Sequence, residues 1–157
     1  MNFRRHLVML LATGGYVGRI PIASGTFGSL LGIPICFALS KMFWMSAGLF
    51  VVGFTLVAMW AADEAESALG RKDPGAIVID EIAGMLVSLL ALPFTVSTVV
   101  AGFLMFRILD IIKPPPIRQA ERCFRGGVGV VMDDIMAGAA TNILLRIWLV
   151  FVPIMAA

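Results

Sequence analysis

Paired acidic residues occur at two places in this sequence, each beside a long apolar stretch. Asp80 is followed by Glu81, Asp133 is followed by Asp134, and Asp110 stands between the two pairs. Taking a carboxylate out of water is costly, so ionisable groups in apolar segments indicate function when partners for them can be found. Five carboxylates gathered in such surroundings would repel one another unless a cation lay among them. Ligation by several carboxylate oxygens is typical of Mg²⁺ or Mn²⁺.

Basic residues that could neutralise a phosphate follow a helical spacing. Arg107, Asp110 and Lys113 stand at positions i, i+3 and i+6, which confines them to an arc of about 120° on one side of a helix. Three consecutive prolines follow and would end that helix. Arg118 and Arg122 lie close by in the sequence. Because guanidinium and ammonium groups donate to phosphate oxygens, acids and bases together indicate metal-assisted phosphoryl chemistry.

Other phosphatase chemistries are excluded because the sequence lacks the residues that they need. The sequence contains no Cys-x5-Arg motif and no Asp-x-Asp nucleophile motif, and its single histidine is His6. A histidine-nucleophile phosphatase needs one histidine to attack and usually another as acid or base. Two chemistries remain: a carboxylate-bound metal that activates water, or an aspartate that attacks phosphorus directly. The two cysteines, Cys36 and Cys123, show no spacing typical of a disulfide or a zinc site.

The composition indicates that these residues are positioned by helices in a membrane. The chain is 60% hydrophobic and 14% charged, with a mean hydropathy of +0.98, far more apolar than a soluble domain. Residues 20–40, 42–62 and 82–106 carry no charge, and each stretch is long enough for a span of ~20 residues. The predicted fold class is therefore an all-α, polytopic membrane helical bundle. No basic run is interleaved with aromatic residues, so nucleic acid is not a predicted partner.

Pro93 divides the longest apolar stretch and leaves two alternatives, a kinked single helix or two helices joined by a tight turn. The positive-inside rule favours two helices, because that topology leaves only Lys41 on the side opposite the cytosol. The basic residues that would then face the cytosol are Arg4, Arg5, Arg19, Arg71, Lys72, Arg107, Lys113, Arg118, Arg122 and Arg125.

About five membrane-embedded helices are therefore predicted within a single domain, with residues 1–19 as an interfacial segment. The predicted helices cover approximately residues 24–40, 42–62, 75–92, 95–113 and 133–152. Ser24 or Thr26 is expected to be the N-cap of the first of them, and a polar loop is expected after residue 62. The acidic and basic clusters would then meet at one membrane face. Arg146, near the outer end of the last helix, is expected to extend toward the headgroups as an anchor.

Three segments resemble the signatures of the phosphatidylglycerophosphatase A family: residues 77–84 (IVIDEIAG), 106–117 (FRILDIIKPPPI) and 126–138 (GGVGVVMDDIMAG). Residues 24–29 (SGTFGS) resemble that family's Pro-Gly-Thr-x-Gly-Ser segment, with Ser24 where proline is usual. The resemblance covers about residues 14–145. It implies a Mg²⁺-dependent enzyme of the bacterial cytoplasmic (inner) membrane that hydrolyses phosphatidylglycerophosphate to phosphatidylglycerol and phosphate on the cytosolic side.

The family resemblance also implies a role for each charged residue. Some of four carboxylates would hold Mg²⁺: Asp80, Glu81, Asp133 and Asp134. Two cations and two hydroxyl groups would contact the substrate phosphate or headgroup: Arg107, Lys113, Ser24 and Thr26. Three aspartates are the expected catalytic residues: Asp80, Asp110 and Asp134. Asp110 would orient the cations or act as a base, and the segment 126–129 is an alternative site for the headgroup.

Two other classes of function stay open on sequence grounds. A divalent-cation or proton-coupled carrier would use intramembrane acids as a pathway, but it needs acids in mid-membrane, whereas these cluster near one face. In a non-catalytic scaffold, Arg107 and Asp110 would form an ordinary intrahelical ion pair, and acids at helix N-termini would only favour the helix dipole. No feature of the sequence indicates an oligomeric state.

Overall fold

The computed structural model describes residues 3–70, 74–115, 117–119, 124 and 126–151, and within these ranges the chain is helical with no strand. The predicted all-α class is confirmed. A 3₁₀ turn, Val17–Arg19, follows the first α-helix. The α-helices are α1 (Phe3–Ala12), α2 (Ser24–Leu39), α3 (Trp44–Leu69), α4 (Ile79–Leu89), α5 (Val96–Ile112) and α6 (Gly127–Phe151).

Two of the described helices, α3 and α6, are long and apolar enough to cross a membrane. Their most apolar windows have mean hydropathies of 1.9 and 1.5, and α2 is a shorter apolar helix. Large apolar side chains project from the bundle along one stripe of α5 at intervals of three or four residues, as on a surface that faces lipid. The stripe consists of Val96, Val100, Leu104, Ile108 and Ile111.

Helix α3 is longer than predicted and continues through the stretch that was expected to be a polar loop. It ends at Leu69, where Gly70 adopts a left-handed backbone with φ of 63°. Alanine and glutamate are strong helix formers, and this extension carries both. Ala58, Ala61, Ala62 and Ala65 are buried in one core cluster with side chains of α1, α4 and α6. The contact with α1 therefore stabilises the extension of α3. A contact between distant segments of this kind cannot be seen in the local sequence.

The N-terminal segment forms a helix that is docked on this extension of α3. Val8 and Ala12 are buried in the core cluster. Arg4 forms an ion pair with Glu64, and Nη2 of Arg5 donates to the Ala68 carbonyl at 2.7 Å. Positive charge near the last carbonyls of α3 is favourable because it opposes the negative end of the helix dipole.

Helix α4 lies at the centre of the bundle and is shorter than the predicted segment 75–92. It contacts α2, α3, α5 and α6. Its 11 residues rise about 16 Å, roughly half of a hydrocarbon core. Before the helix, the Val78 N–H donates to the Ala12 carbonyl at 2.9 Å; after it, Ala91 has a left-handed φ of 53°. Asp80 and Glu81 consequently lie in the first turn of α4, whereas the predicted range 75–92 would put them further inside the helix.

The chain reverses around Pro93, so the prediction of two helices is confirmed and the kinked single helix is excluded. Helix α5 begins at Val96, and the Thr95 side chain caps it by accepting from the Thr98 N–H at 3.2 Å. This hairpin brings the start of α4 and the end of α5 to the same end of the bundle. Asp80 and Arg107 therefore come together from segments that are well separated in sequence.

One expected helix start and one expected N-cap are wrong. Helix α6 begins at Gly127, not at residue 133, because Gly127 packs against α3: an added Cβ would overlap the backbone of Met59 and Asp63. The Gly127 N–H also donates to Oδ1 of Asp63 at 3.0 Å. Asp134 therefore lies about 10 Å along the helix. In α2 the N-cap is Ala23, with φ of 53°, so neither Ser24 nor Thr26 is the cap.

The C-terminal end of α4 stops inside the bundle, where side chains of α6 satisfy its carbonyls. Nδ2 of Asn142 donates to the carbonyls of Val87, Ser88 and Leu90 at 3.0 to 3.1 Å. Arg146 donates through Nη2 to Leu90 and Ala91 and through Nε to Oδ1 of Asn142. Arg146 thus helps to cap α4. The sequence predicted only that Arg146 would be an anchor at the headgroups.

We predict that Asn142→Leu destabilises the protein by about 2 kcal/mol, because it leaves buried carbonyls without donors. The unfolding midpoint in detergent should fall by about 5 °C. Thr55→Val is the control, since the Thr55 hydroxyl bonds only to the Val51 carbonyl within α3. Equal midpoints for the two variants would contradict this role of Asn142.

Candidate active site

Three carboxyl groups from two helices converge at the end of the bundle where α4 begins. Asp80 and Glu81 come from the first turn of α4 and Asp134 from α6, and one ligand oxygen from each lies within 4.8 Å of the other two. Asp80 is 7% exposed and Asp134 is 3% exposed. Like charges at this separation and depth are strongly unfavourable together without a compensating cation.

Two glycines allow α4 and α6 to approach closely enough for the three groups to meet. A Cβ on Gly84 would lie 2.6 Å from ring carbons of Phe106 and 2.7 Å from the Asp134 carbonyl oxygen. A Cβ on Gly138 would overlap the Gly84 carbonyl. The glycine that follows each acidic pair thus permits close helix packing, and the backbone of Asp134 lies directly against α4.

Arg107 and Asp110, from the last turns of α5, adjoin the carboxylates. Nη1 of Arg107 donates to Oδ2 of Asp110 at 2.6 Å, and the two side chains are largely buried. The same nitrogen lies 3.5 Å from Oγ of Ser29. Asp110 also lies near enough to Asp134 for the two carboxyl groups to interact electrostatically. Asp110 therefore links the guanidinium group to the carboxylate cluster.

Asp133 and Lys113 form a second acid–base pair on a neighbouring side of the site. The Lys113 ammonium contacts Oδ2 of Asp133. Asp133 does not belong to the group of three carboxylates whose oxygens lie within 4.8 Å. Of the four carboxylates expected to hold a metal, the structure thus groups Asp80, Glu81 and Asp134 and places Asp133 with a lysine.

Helix α2 contributes a glycine and a serine rather than the two hydroxyl groups selected from the sequence. A Cβ on Gly25 would overlap the Glu81 carboxylate and lie 3.1 Å from Nη2 of Arg107. Oγ of Ser24 instead donates to the Gly75 carbonyl at 2.6 Å. Among the described residues, no contact joins the Thr26 hydroxyl to the carboxylates.

Sequence reasoning missed Ser29, whose hydroxyl contacts Arg107. Ser29 is fully buried, and its Oγ donates to the Gly25 carbonyl at 2.9 Å. Gly25 and Ser29 are spaced i, i+4 and therefore share a helix face. That spacing was a usable signal. Of the more distant basic residues, Arg118 is exposed and donates to the Ile112 carbonyl, while Arg122 and Arg125 lie outside the described residues.

The cluster has the donor set that a divalent metal needs. Oε2 of Glu81 and Oδ2 of Asp134 are buried and have no hydrogen-bond partner among the described residues. Buried carboxylate oxygens left in this way fit a hard cation, which all-oxygen ligation suits. Nε of Arg107 is buried and likewise unbonded within the described part of the chain, so an anion would fit beside the cation.

A large groove lies at the other end of the bundle. It has a volume of about 1000 Å³ and is lined mainly by apolar side chains of α3 and α6, with Asn142 and Arg146 at its edge. No carboxylate lines it. Volume alone would favour this groove as the active site, but the charged residues that could act on a phosphate lie at the carboxylate cluster.

Comparison with known proteins identifies the family to which the chain is similar. The sequence profile of the family described as Phosphatidylglycerophosphatase A matches residues 10–149. A Bacteroides thetaiotaomicron protein, provisionally named a phosphatidylinositol-3-phosphatase, is 42% identical over 150 residues, covering 90% of this chain and 92% of the relative. The Escherichia coli Phosphatidylglycerophosphatase A is 41% identical over 130 residues, covering 82% and 76%.

The Haemophilus influenzae Phosphatidylglycerophosphatase A is 33% identical over 132 residues, covering 83% of this chain and 81% of the relative. No solved structure matches the chain significantly. The family match extends over all three carboxylate-bearing segments and over both basic residues of α5. The chain is therefore a phosphatase and belongs to the phosphatidylglycerophosphatase A family.

Proposed function

We propose that this protein hydrolyses phosphatidylglycerophosphate to phosphatidylglycerol and inorganic phosphate with the help of Mg²⁺. The observation that carries the proposal is the buried cluster of Asp80, Glu81 and Asp134 with Arg107 and Lys113 on its flanks. Family membership supports a lipid phosphate monoester as the substrate. A phosphate monoester needs both a cation that neutralises developing charge and donors matched to its oxygens.

Asp80, Glu81 and Asp134 would hold the Mg²⁺ ion. When bound, the ion would polarise the phosphoryl group and lower the pKa of a coordinated water. Oε2 of Glu81 and Oδ2 of Asp134 are buried without a hydrogen-bond partner among the described residues, which supports this assignment. Asp133 contacts Lys113 instead, so we leave it out of the ligand set.

The remaining charged residues would bind and orient the phosphate. Arg107 presents a planar fork of donors that suits two phosphate oxygens, and Asp110 together with Ser29 holds that fork. Lys113 adds a second cation. In the reaction, a water oxygen forms a bond to phosphorus while the bond from phosphorus to the glycerol oxygen breaks. The glycerol oxygen leaves with the bonding electron pair and takes up a proton that the attacking water gives up.

Asp110 is our candidate to accept the proton from the attacking water, because it lies between Arg107 and Asp134. Direct attack by an aspartate on phosphorus is the alternative step. Ser24 and Thr26 stay as proposed headgroup contacts, since the first turn of α2 adjoins the site through Gly25.

We further propose that the chain is a single multi-pass domain in the bacterial cytoplasmic membrane, with its site facing the cytosol. The distribution of basic residues supports this orientation. The hairpin of α4 and α5 supports it as well, because it puts the acidic start of α4 beside the basic end of α5. The acyl chains of the substrate would lie in lipid beside the helices. The carrier alternative is not supported by the family assignment.

A second substrate, phosphatidylinositol phosphate, is favoured by one specific observation. The relative provisionally named a phosphatidylinositol-3-phosphatase matches a larger share of both chains than either named phosphatidylglycerophosphatase A. The two lipids share a phosphate monoester on a polyol headgroup. The same phosphate-binding residues would serve both, and only headgroup contacts would discriminate.

Phosphate release by the detergent-purified protein tests the proposal. We expect release from phosphatidylglycerophosphate in the presence of Mg²⁺ and its loss with a chelator. Phosphatidylinositol phosphate, phosphatidic acid and soluble glycerol phosphate are the comparators. Faster release from phosphatidylinositol phosphate would replace the proposed substrate. No release from any of these compounds by folded protein would contradict the proposed function.

A further inference from the structure

Adjacent acids on α6 face different neighbours, although both were expected to serve one metal ion. Successive residues of a helix point about 100° apart. Asp134 points to Asp80 and Glu81 on α4, whereas Asp133 points to Lys113 at the end of α5. The two carboxylates therefore belong to different parts of the site.

The backbone of Lys113 is held in an unusual conformation at the end of α5. Its φ is 45°, in the left-handed region, and its N–H donates to the Leu109 carbonyl at 2.8 Å as the C-cap. This conformation is unfavourable for a residue with a side chain and persists where surrounding structure enforces it. Pro114 follows directly and restricts the chain further.

Exposure differs between the two members of the pair. The side chain of Asp133 is 5% exposed and that of Lys113 is 26% exposed. An ammonium group has three donors, so a lysine can contact a carboxylate and a second anion at the same time. Arg107 is held in a comparable way by Asp110. Each of the two cations beside the carboxylate cluster thus has its own carboxylate partner.

We propose that Asp133 is a positioning residue that holds the Lys113 ammonium at the substrate phosphate, and that it does not bind the metal. The inference rests on the proposed function, because it assigns a role within that same site. Lys113 contacts the phosphate in the ground state and in the transition state alike, so its displacement weakens substrate binding more than turnover.

The matched pair of variants is Asp133→Asn and Asp134→Asn, in which the same change is made at successive positions of one helix. Mn²⁺ binding to the detergent-purified full-length chain is measured by electron paramagnetic resonance. We expect Asp133→Asn to keep Mn²⁺ affinity within about threefold and Asp134→Asn to lose about tenfold or more. This comparison needs no substrate, so it shows whether Asp133 binds the metal even if another lipid is the true substrate.

Steady-state kinetics with phosphatidylglycerophosphate give the second readout. Asp133→Asn should raise KM about tenfold or more, with a smaller change in kcat. Lys113→Met should reproduce that change and also keep Mn²⁺ affinity, while Asp133→Glu, which keeps the carboxylate, should restore most of the substrate affinity. Loss of Mn²⁺ binding by Asp133→Asn to the extent seen with Asp134→Asn would overturn the proposal, as would an unchanged KM. Absence of phosphate release by the unaltered protein would instead contradict the proposed function.

Discussion

Asp134→Asn is expected to lower phosphate release by a factor on the order of 10³ while leaving the protein folded. The substitution keeps the size of the side chain and removes one negative charge from the three-carboxylate cluster. Because the Asp134 carboxylate is 3% exposed, water cannot replace the charge that the variant lacks. Asp80→Asn should have the same effect, since its carboxylate belongs to the same cluster.

The stability of the two variants should move in the opposite direction from their activity. In chelator, the unaltered chain keeps like charges close together in a buried site, so removing one of them should raise the unfolding midpoint. Added Mg²⁺ should stabilise the unaltered chain by binding its folded state. It should stabilise Asp134→Asn much less, because one ligand is missing.

Phosphate release and thermal unfolding, each with Mg²⁺ and with chelator, are the measurements. Glu64→Gln is the control, because Glu64 is an exposed acid that pairs with Arg4 away from the cluster. It should keep normal activity and a normal response to Mg²⁺. Turnover close to that of the unaltered chain in both Asp80→Asn and Asp134→Asn would contradict the metal site.

The meeting of acids and bases at one end of the bundle could be predicted from the sequence because local signals define the turns. Pro93 separates two apolar stretches, and three prolines follow Lys113. Once α4 and α5 form a hairpin, Asp80 and Arg107 must lie at the same end. The prediction needed only the positions of the turns and the direction of each helix.

The start of α6 and the end of α3 could not be predicted in this way, because both are determined by packing between helices. A glycine-rich segment is typical of a loop, but Gly127 is in a helix that touches the backbone of α3. Asp63 bonds to the Gly127 N–H from that neighbouring helix. Asp63 and Gly127 are far apart in the sequence, so no local pattern indicates this contact. The sequence therefore predicts that both residues lie outside helices.

The face of a helix that carries a residue also could not be predicted from residue types alone. Gly25 and Ser29 share the face of α2 that meets Glu81 and Arg107, whereas Ser24 bonds to Gly75. Residue types alone favoured the hydroxyl groups nearest the helix start. The rotation of 100° per residue shows which side chains share a face once a neighbouring helix is known. The same rotation turns Asp133 and Asp134 toward different neighbours.

Gly84→Val is expected to lower stability and activity strongly, although it alters no charged residue. A Cβ at this position would already lie 2.6 Å from the Phe106 ring and 2.7 Å from the Asp134 carbonyl oxygen. The two extra methyl groups would force α4 away from α6. Overpacking of this kind costs about 3 kcal/mol or more when backbone atoms form one wall. It would also separate Asp80 and Glu81 from Asp134, so activity should fall together with stability.

The matched control is Gly53→Val, the same substitution in another apolar helix. Gly53 is exposed on α3, and no atom lies within 4 Å of a Cβ built there. Thermal unfolding in detergent and phosphate release are measured for both variants. Gly53→Val should match the unaltered chain, while Gly84→Val should unfold at a lower temperature and release little phosphate. If Gly84→Val kept both properties, the close contact of α4 with α6 would not be what assembles the carboxylate cluster.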